Sequence, residues 1–257
     1  MVKQTKRKVH VLLERDRQNR KRTSRKLYEE KLSGDKSDFV VTLDECWIEV
    51  KSEHSSKDHY YVDKNKRKEE RKFVQQVNKS FPPKFMIVGS MCCDKVFPLF
   101  RVPSSVTVDA KYFVDYVLHP LIHDFLIPHY KEDINKVTIH FDKATSHTAK
   151  LSSRYLERMK REYGISFLKK EDIPVKGVDI APMDFFAFGY LKQQLKVTRA
   201  RTEAGVWKRT REIWSQITPK TCALVFESWK RRLLAVRHNS GGHVEQTKNI
   251  HRTKIKL

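Results

Sequence analysis

The pattern of apolar and polar positions divides the chain into short β-strands followed by amphipathic helices. Runs rich in β-branched and aromatic residues predict strands at 39–50, near 60–62, and at 85–88, 96–102, 137–141 and 165–168. Helical spacing begins after Asp109, which is predicted as an N-cap, and again after Ser146, with Gly164 as the stop. Three further helical patterns run from Asp184 to about residue 237. This order predicts an α/β domain with a mixed sheet and helices packed on its faces.

The ends of the chain are more polar than its middle. We interpret residues 1–36 as a basic linker and helix preceding a domain at 37–240, and residues 241–257 as a basic tail. Leu27 and Leu32 give the first segment a narrow apolar stripe. Two interpretations of its basic residues stay open. They contact phosphates or act as a nuclear import signal, or they form a solvated helix face.

Composition favours a nucleic-acid partner. The chain has 257 residues, 53 Lys and Arg against 31 Asp and Glu, and a net charge of +22. No amphipathic basic helix dominates, so we expect nucleic acid and not a membrane surface as the polyanion. No apolar run reaches the length of a membrane span, and the N-terminus lacks the apolar core of a signal peptide, which favours an intracellular protein. The four cysteines show no metal-ligand spacing and are interpreted as reduced structural thiols.

Three aspartates stand where apolar runs end or helices begin. Asp44 and Asp142 close predicted strand runs, and Asp184 opens a helical stretch. Carboxylates gathered from separate elements bind hard divalent ions such as Mg²⁺. Two such ions about 4 Å apart form the clamp used for in-line phosphoryl transfer in nucleases and polymerases.

The segments around these aspartates resemble the three acidic blocks of mariner-type transposases. Residues 41–48 contain the Asp-Glu pair followed by an aromatic residue, and residues 142–149 contain Asp, Ala and a nearby His. Residues 178–188 resemble the block in which an Asp-Leu-Ala-Pro stretch precedes the last catalytic acid. Between Asp142 and Asp184 lie 41 residues, the spacing of one mariner branch. The resemblance covers about residues 10–245.

This resemblance implies a ribonuclease-H-like mixed sheet flanked by helices and a metal-dependent DNA endonuclease and strand transferase. It implies that Asp44, Asp142 and Asp184 are catalytic and bind two Mg²⁺ or Mn²⁺ ions. Asp179 is an alternative for the third position, but the family pattern favours the later acid. The implied partners are DNA, as transposon ends and TA target sites, and a second subunit joined through the charged loop at 51–80. The implied location is the nucleus.

Three neighbours of the aspartates are candidates for supporting roles. Glu45 follows Asp44 on the strand and is expected to point to the other face, where it supports the metal ligands or forms an ion pair. Lys143 stands where the family usually has Asn. His147 either contacts DNA or steadies the loop, and ordinary packing at a helix start stays equally open.

Three departures from the family pattern leave a second hypothesis open, and the first is Lys143 in place of the usual Asn. Gly177 and Val178 replace the usual Ser-Pro, and the first aspartate comes too early for the family's paired helix-turn-helix modules. We therefore expect a truncated copy that lacks end recognition. The alternative is a catalytically silent, transposon-derived protein that binds DNA or oligomerises, whereas the intact set of three aspartates favours the enzyme.

Overall fold

The fold is described from a computed structural model that covers residues 10–50, 83–141, 150–198, 200 and 202–244. Its strands are β1 (Val40–Glu49), β2 (Lys84–Met91), β3 (Phe100–Val102), β4 (Thr138–His140) and β5 (Ser166–Phe167). They form one mixed sheet in the order β3-β2-β1-β4-β5. Strand β2 is antiparallel to both β1 and β3, whereas β4 runs parallel to both β1 and β5. The predicted mixed sheet is confirmed.

Strand β1 lies at the centre of the sheet, and its side chains alternate between the two faces. Val40, Cys46 and Ile48 belong to one apolar cluster, whereas Val41 and Leu43 belong to the other. Both faces of the strand are therefore covered, which explains why its first half reads as a continuous apolar run. The even-numbered positions, including position 44, share the face of the first cluster.

Helices cover both faces of the sheet in the described part of the chain. They are α1 (Glu14–Leu27), α2 (Ala110–Phe113), α3 (Ile127–Tyr130), α4 (Lys150–Tyr163), α5 (Phe188–Lys196), α6 (Glu203–Ser215) and α7 (Pro219–His238). Apolar residues of α1, α5, α6 and α7 form the cluster on the even-numbered face, and those of α2 and α4 contribute to the cluster on the odd-numbered face. The result is the predicted α/β architecture of a sheet between two helical layers. Among the described residues, no helix combines the length and apolarity needed to cross a bilayer.

Several local predictions are confirmed, and one needs correction. The Asp109 carboxylate caps α2 by accepting a 2.7 Å hydrogen bond from the Tyr112 amide. Gly164 follows α4 with a φ of +75°, a conformation that favours glycine. The helix that begins after Asp109 is expected to end or kink at Pro120; it does not end there, since wider π-type turns on both sides of Pro120 continue to α3. The strand expected near 60–62, the loop at 51–80 and the Ser146 cap lie outside the described residues.

The basic N-terminal helix is packed into the domain. Helix α1 lies against α7, and its Arg20 is fully buried. The Arg20 guanidinium donates two 2.9 Å hydrogen bonds to the Asp179 carboxylate and one of 3.0 Å to the Gly241 carbonyl. Neither interpretation left open for this segment, phosphate tracking or a solvated face, describes Arg20.

Candidate active site

Asp44 lies in the middle of β1, on the even-numbered face of the sheet. Its side chain is half-buried, and its Oδ1 accepts a 2.8 Å hydrogen bond from the Glu45 amide. Its partner in the antiparallel register with β2 is Gly89. A glycine opposite Asp44 leaves room above the sheet, and residues of the helical layer use that room.

Asp184 reaches the same region from the helical layer. It follows the buried Met183 in a π-type turn at Met183–Ala187 that leads directly into α5. The Met183 Cε atom is 3.1 Å from the position that a Cβ would occupy at Gly89. Because Gly89 is the register partner of Asp44, the turn that holds Asp184 lies against the sheet at the level of Asp44. The Asp184 side chain itself is exposed.

The charges of both carboxylates act on the Cys46 thiol. Burial is the main cause that raises its pKa, and the charges of Asp44 and Asp184 raise it further. The ammonium group of Lys192 acts on the pKa of the thiol in the opposite direction. One thiol therefore feels both acids, although they are distant in sequence. Two of the three predicted site aspartates are brought together on one face of the sheet.

Sequence reasoning did not single out Cys46 or Lys192 as part of this region. The strand period contained a signal for Cys46, since residues two apart on a strand share a face and Cys46 follows Asp44 by two. Lys192 lies in α5, the helix that follows Asp184. No sequence signal paired it with a residue of β1.

The other predicted site residues lie partly outside the described part of the chain. Asp142, Lys143 and His147 lie outside the described residues, but the strand that leads to them is described. Strand β4 lies beside β1 with His140 opposite Thr42, and Thr42 Oγ1 is 2.9 Å from His140 Nδ1. Glu45 is half-buried next to Asp44.

Asp179, the alternative to Asp184, forms a buried ion pair inside the domain. It is buried, with 8% of its side chain exposed, and both its oxygens accept from Arg20. The Val244 amide donates a further 3.0 Å hydrogen bond to Oδ2, and Nδ1 of His243 lies 3.4 Å from the same oxygen. With its oxygens engaged by these groups, Asp179 joins the two ends of the described chain.

Comparison with solved structures places this arrangement among transposase folds. The Mos1 mariner paired-end complex with Mg matches with a TM-score of 0.75 and 21% identity, over 95% of this chain and 68% of that chain. The Mos1 paired-end complex with the left transposon end matches with a TM-score of 0.74 and 21% identity, over the same 95% and 68%. The catalytic domain of Mos1 mariner transposase gives 0.69 and 20%, over 92% and 99%.

At this level of identity, the matches establish the fold. The chain has the ribonuclease-H-like fold of the mariner transposase catalytic domain. No protein-family model matches the sequence, and the curated proteins give no significant match.

Proposed function

We propose that this chain is the catalytic domain of a mariner-type DNA transposase, which cleaves DNA strands and joins the freed 3′ ends to target DNA. The observation that carries the proposal is the meeting of Asp44 and Asp184 beside Cys46 on one face of a ribonuclease-H-like sheet. The acidic motifs predicted these two residues as metal ligands, and their common effect on Cys46 supports that role. A shared fold alone would not carry the function, because one fold supports many chemistries.

Asp142 is proposed as the third acid of the site. In the parallel register of β1 and β4, Thr42 lies opposite His140. Asp44 comes two residues after Thr42 in the sequence, and Asp142 comes two residues after His140. This equal offset, together with the sequence motif, supports Asp142 as the partner of Asp44.

The donor set fits a hard divalent cation. The carboxylates of Asp44 and Asp184 supply oxygen ligands, which Mg²⁺ and Mn²⁺ prefer. Solved Mos1 transposase structures include complexes with Mg and with Mn. A pair of such ions, when bound, activates the attacking oxygen and stabilises the leaving oxygen of an in-line displacement.

The residues of the chain hold this site in place. Met183 fixes the turn that presents Asp184, and the position of Asp184 at the start of a helical segment favours its negative charge through the helix dipole. Lys192, whose charge lowers the pKa of the Cys46 thiol, reduces the repulsion between the two carboxylates. Catalysis of phosphoryl transfer depends mainly on such positioning and charge stabilisation.

The partners belong to the same proposal. The net charge of +22 supports a DNA substrate, and one of the similar Mos1 structures is a paired-end complex with the left transposon end. Cleavage at transposon ends, insertion at TA sites, a homodimer joined through residues 51–80 and a nuclear location follow from the family resemblance. Lys143 and His147, close to Asp142 in the sequence, and Glu45 stay candidates for DNA contacts or for support of the acids.

A plasmid-nicking assay tests the proposal. The full chain is incubated with supercoiled plasmid and Mg²⁺ or Mn²⁺, and the variants are Asp44→Asn, Asp142→Ala and Asp184→Asn. Each variant is expected to lose nicking by at least about a hundredfold, the cost of removing one stabilising group from a preorganised site. The matched control is Asp133→Asn, at an exposed acid paired with Lys136 at 2.7 Å, and it is expected to keep full activity.

The outcomes separate the enzyme from the silent alternative. DNA binding and circular dichroism, measured on the same samples, show that a variant is folded. Nicking that depends on the metal and on all three aspartates supports the transposase domain. Metal-independent background that is equal in all proteins, with DNA binding retained, would replace the proposal by a silent DNA-binding remnant.

A further inference from the structure

A mixed group of metal-ligand side chains lies at the turn that follows β2, apart from the three aspartates. It consists of the Cys92 thiol, the Asp94 carboxylate and the His129 imidazole. Cys92 Sγ is 2.9 Å from Asp94 Oδ1 and 3.9 Å from His129 Nε2, and Nε2 is 3.3 Å from the same Asp94 oxygen. Among the described residues, it is the one group of three or more Cys, His, Asp or Glu side chains whose ligand atoms all lie within 4.8 Å of one another.

These distances are close to those of a tetrahedral zinc site. With usual zinc–ligand bond lengths, the ligand atoms of such a site are about 3.4–3.6 Å apart. The three observed distances depart from this range by no more than about 0.6 Å, a shift that side-chain rotation can supply. The ligand types also fit, since thiolate, imidazole and carboxylate are the usual zinc ligands.

The backbone holds two of the ligands in a tight turn. The Cys92 amide donates a 2.9 Å hydrogen bond to the Lys95 carbonyl, and the Phe97 amide donates one of 2.9 Å to the Ser90 carbonyl. This turn keeps Cys92 and Asp94 on the same side. The Cys92 side chain is fully buried, whereas the Asp94 side chain is 56% exposed, so a metal ion can enter from solvent.

The third ligand comes from the helical layer and is oriented by aromatic rings. His129 lies in α3, and its ring meets the Phe97 ring edge to face, with centroids 5.8 Å apart. The Tyr130 ring contacts it at 4.6 Å. These contacts direct Nε2 towards Cys92 and Asp94. Residues that are distant in sequence therefore meet in an arrangement that is partly formed before any ion binds.

We propose that Cys92, Asp94 and His129 form a zinc-binding site that fastens the end of β2 to α3. One thiolate and one carboxylate neutralise the charge of Zn²⁺, which suits a partly buried position. Water from the exposed Asp94 side fills the fourth coordination position. Burial raises the pKa of the Cys92 thiol, and coordination displaces its proton to solvent. The site differs from the three aspartates in its sulfur ligand and therefore in its metal preference.

The test uses Co²⁺ as a spectroscopic probe and Zn²⁺ as the competing ion. The metal-free full chain is titrated with Co²⁺, and we expect one equivalent to give a thiolate-to-cobalt charge-transfer band that Zn²⁺ abolishes. Cys92→Ser is expected to remove the band. His129→Gln and Asp94→Asn are expected to weaken binding by at least about a hundredfold, the upper range reported for loss of groups that only support a ligand.

Two controls make the result specific. Cys93→Ser changes the adjacent thiol, which is outside the ligand group, and is expected to keep the band. Asp184→Asn is also expected to keep it, which separates this site from metal bound near Cys46. Circular dichroism of the metal-free proteins shows which variants fold. If Cys92→Ser does not fold, His129→Gln is the variant that tests the site. Absence of the band in the wild type, its persistence in Cys92→Ser, or its loss in either control would overturn the assignment.

Discussion

Replacing Arg20 with alanine tests whether the buried ion pair with Asp179 holds the ends of the domain together. Arg20 is fully buried and donates to the Asp179 carboxylate and to the carbonyls of Val175, Lys176 and Gly241, at 2.7–3.2 Å. The Arg20→Ala variant leaves a buried carboxylate without its cation and these carbonyls without their donor.

The expected loss follows from this environment. Removing one partner of a buried ion pair costs about 3–5 kcal/mol. The Val244 amide still donates to the Asp179 carboxylate, so we expect about 3 kcal/mol. This is a large share of the roughly 5–15 kcal/mol by which a domain is usually stable. Arg20→Lys keeps the charge but not the planar fork, and an intermediate loss is expected.

Urea unfolding followed by far-ultraviolet circular dichroism measures the loss. The matched control is Arg15→Ala, at an exposed arginine of the same helix, which is expected to change the free energy of unfolding by less than about 0.5 kcal/mol. The double variant Arg20→Ala with Asp179→Asn is expected to lose less than the sum of the single variants, because no unpaired charge remains. A loss below about 1 kcal/mol for Arg20→Ala, or additive effects in the double variant, would refute the reasoning.

Three further predictions concern the site, the pH dependence and the DNA partner. In Gly89→Ala the new methyl group meets the side chains of Met183 and Trp214 at 3.1 Å and that of Leu99 at 3.2 Å, so these side chains must shift by a few tenths of an ångström beside the turn that carries Asp184. We expect nicking to fall by about tenfold or more, and unchanged nicking would contradict the expected sensitivity of the site to this shift. Burial lowers the pKa of His123 in the folded chain. Below the usual pKa of histidine, the unfolded chain therefore binds more protons than the folded chain. Stability should therefore decrease as pH falls through about 6.5, less so in His123→Gln, as urea unfolding at pH 7.5 and 5.5 can check. DNA affinity, measured by filter binding, should fall linearly on a log–log plot against salt, whereas salt-independent binding would exclude counterion release.

Several strands and helix limits among the described residues could be read from the sequence. Alternation along β1, the Asp109 cap and the stop at Gly164 are local features, and each depends on residues within a few positions of each other. For that reason they predicted the mixed sheet between helical layers. The acidic motifs also predicted Asp44 and Asp184 as site residues, and the charges of both act on the Cys46 thiol.

Tertiary structure alone decided what the charged and polar residues contact. Asp179 and Asp184 belong to the same sequence block, but Arg20, 159 positions away, pairs with the first. Similarly, nothing along the chain joined Cys92 to His129, whose side chains meet only because α3 packs beside the end of β2. Periodicity in a sequence indicates which side of an element is apolar, because that depends on local geometry. The partner of a buried charge or thiol depends on how distant elements pack, and that is fixed only when the chain folds.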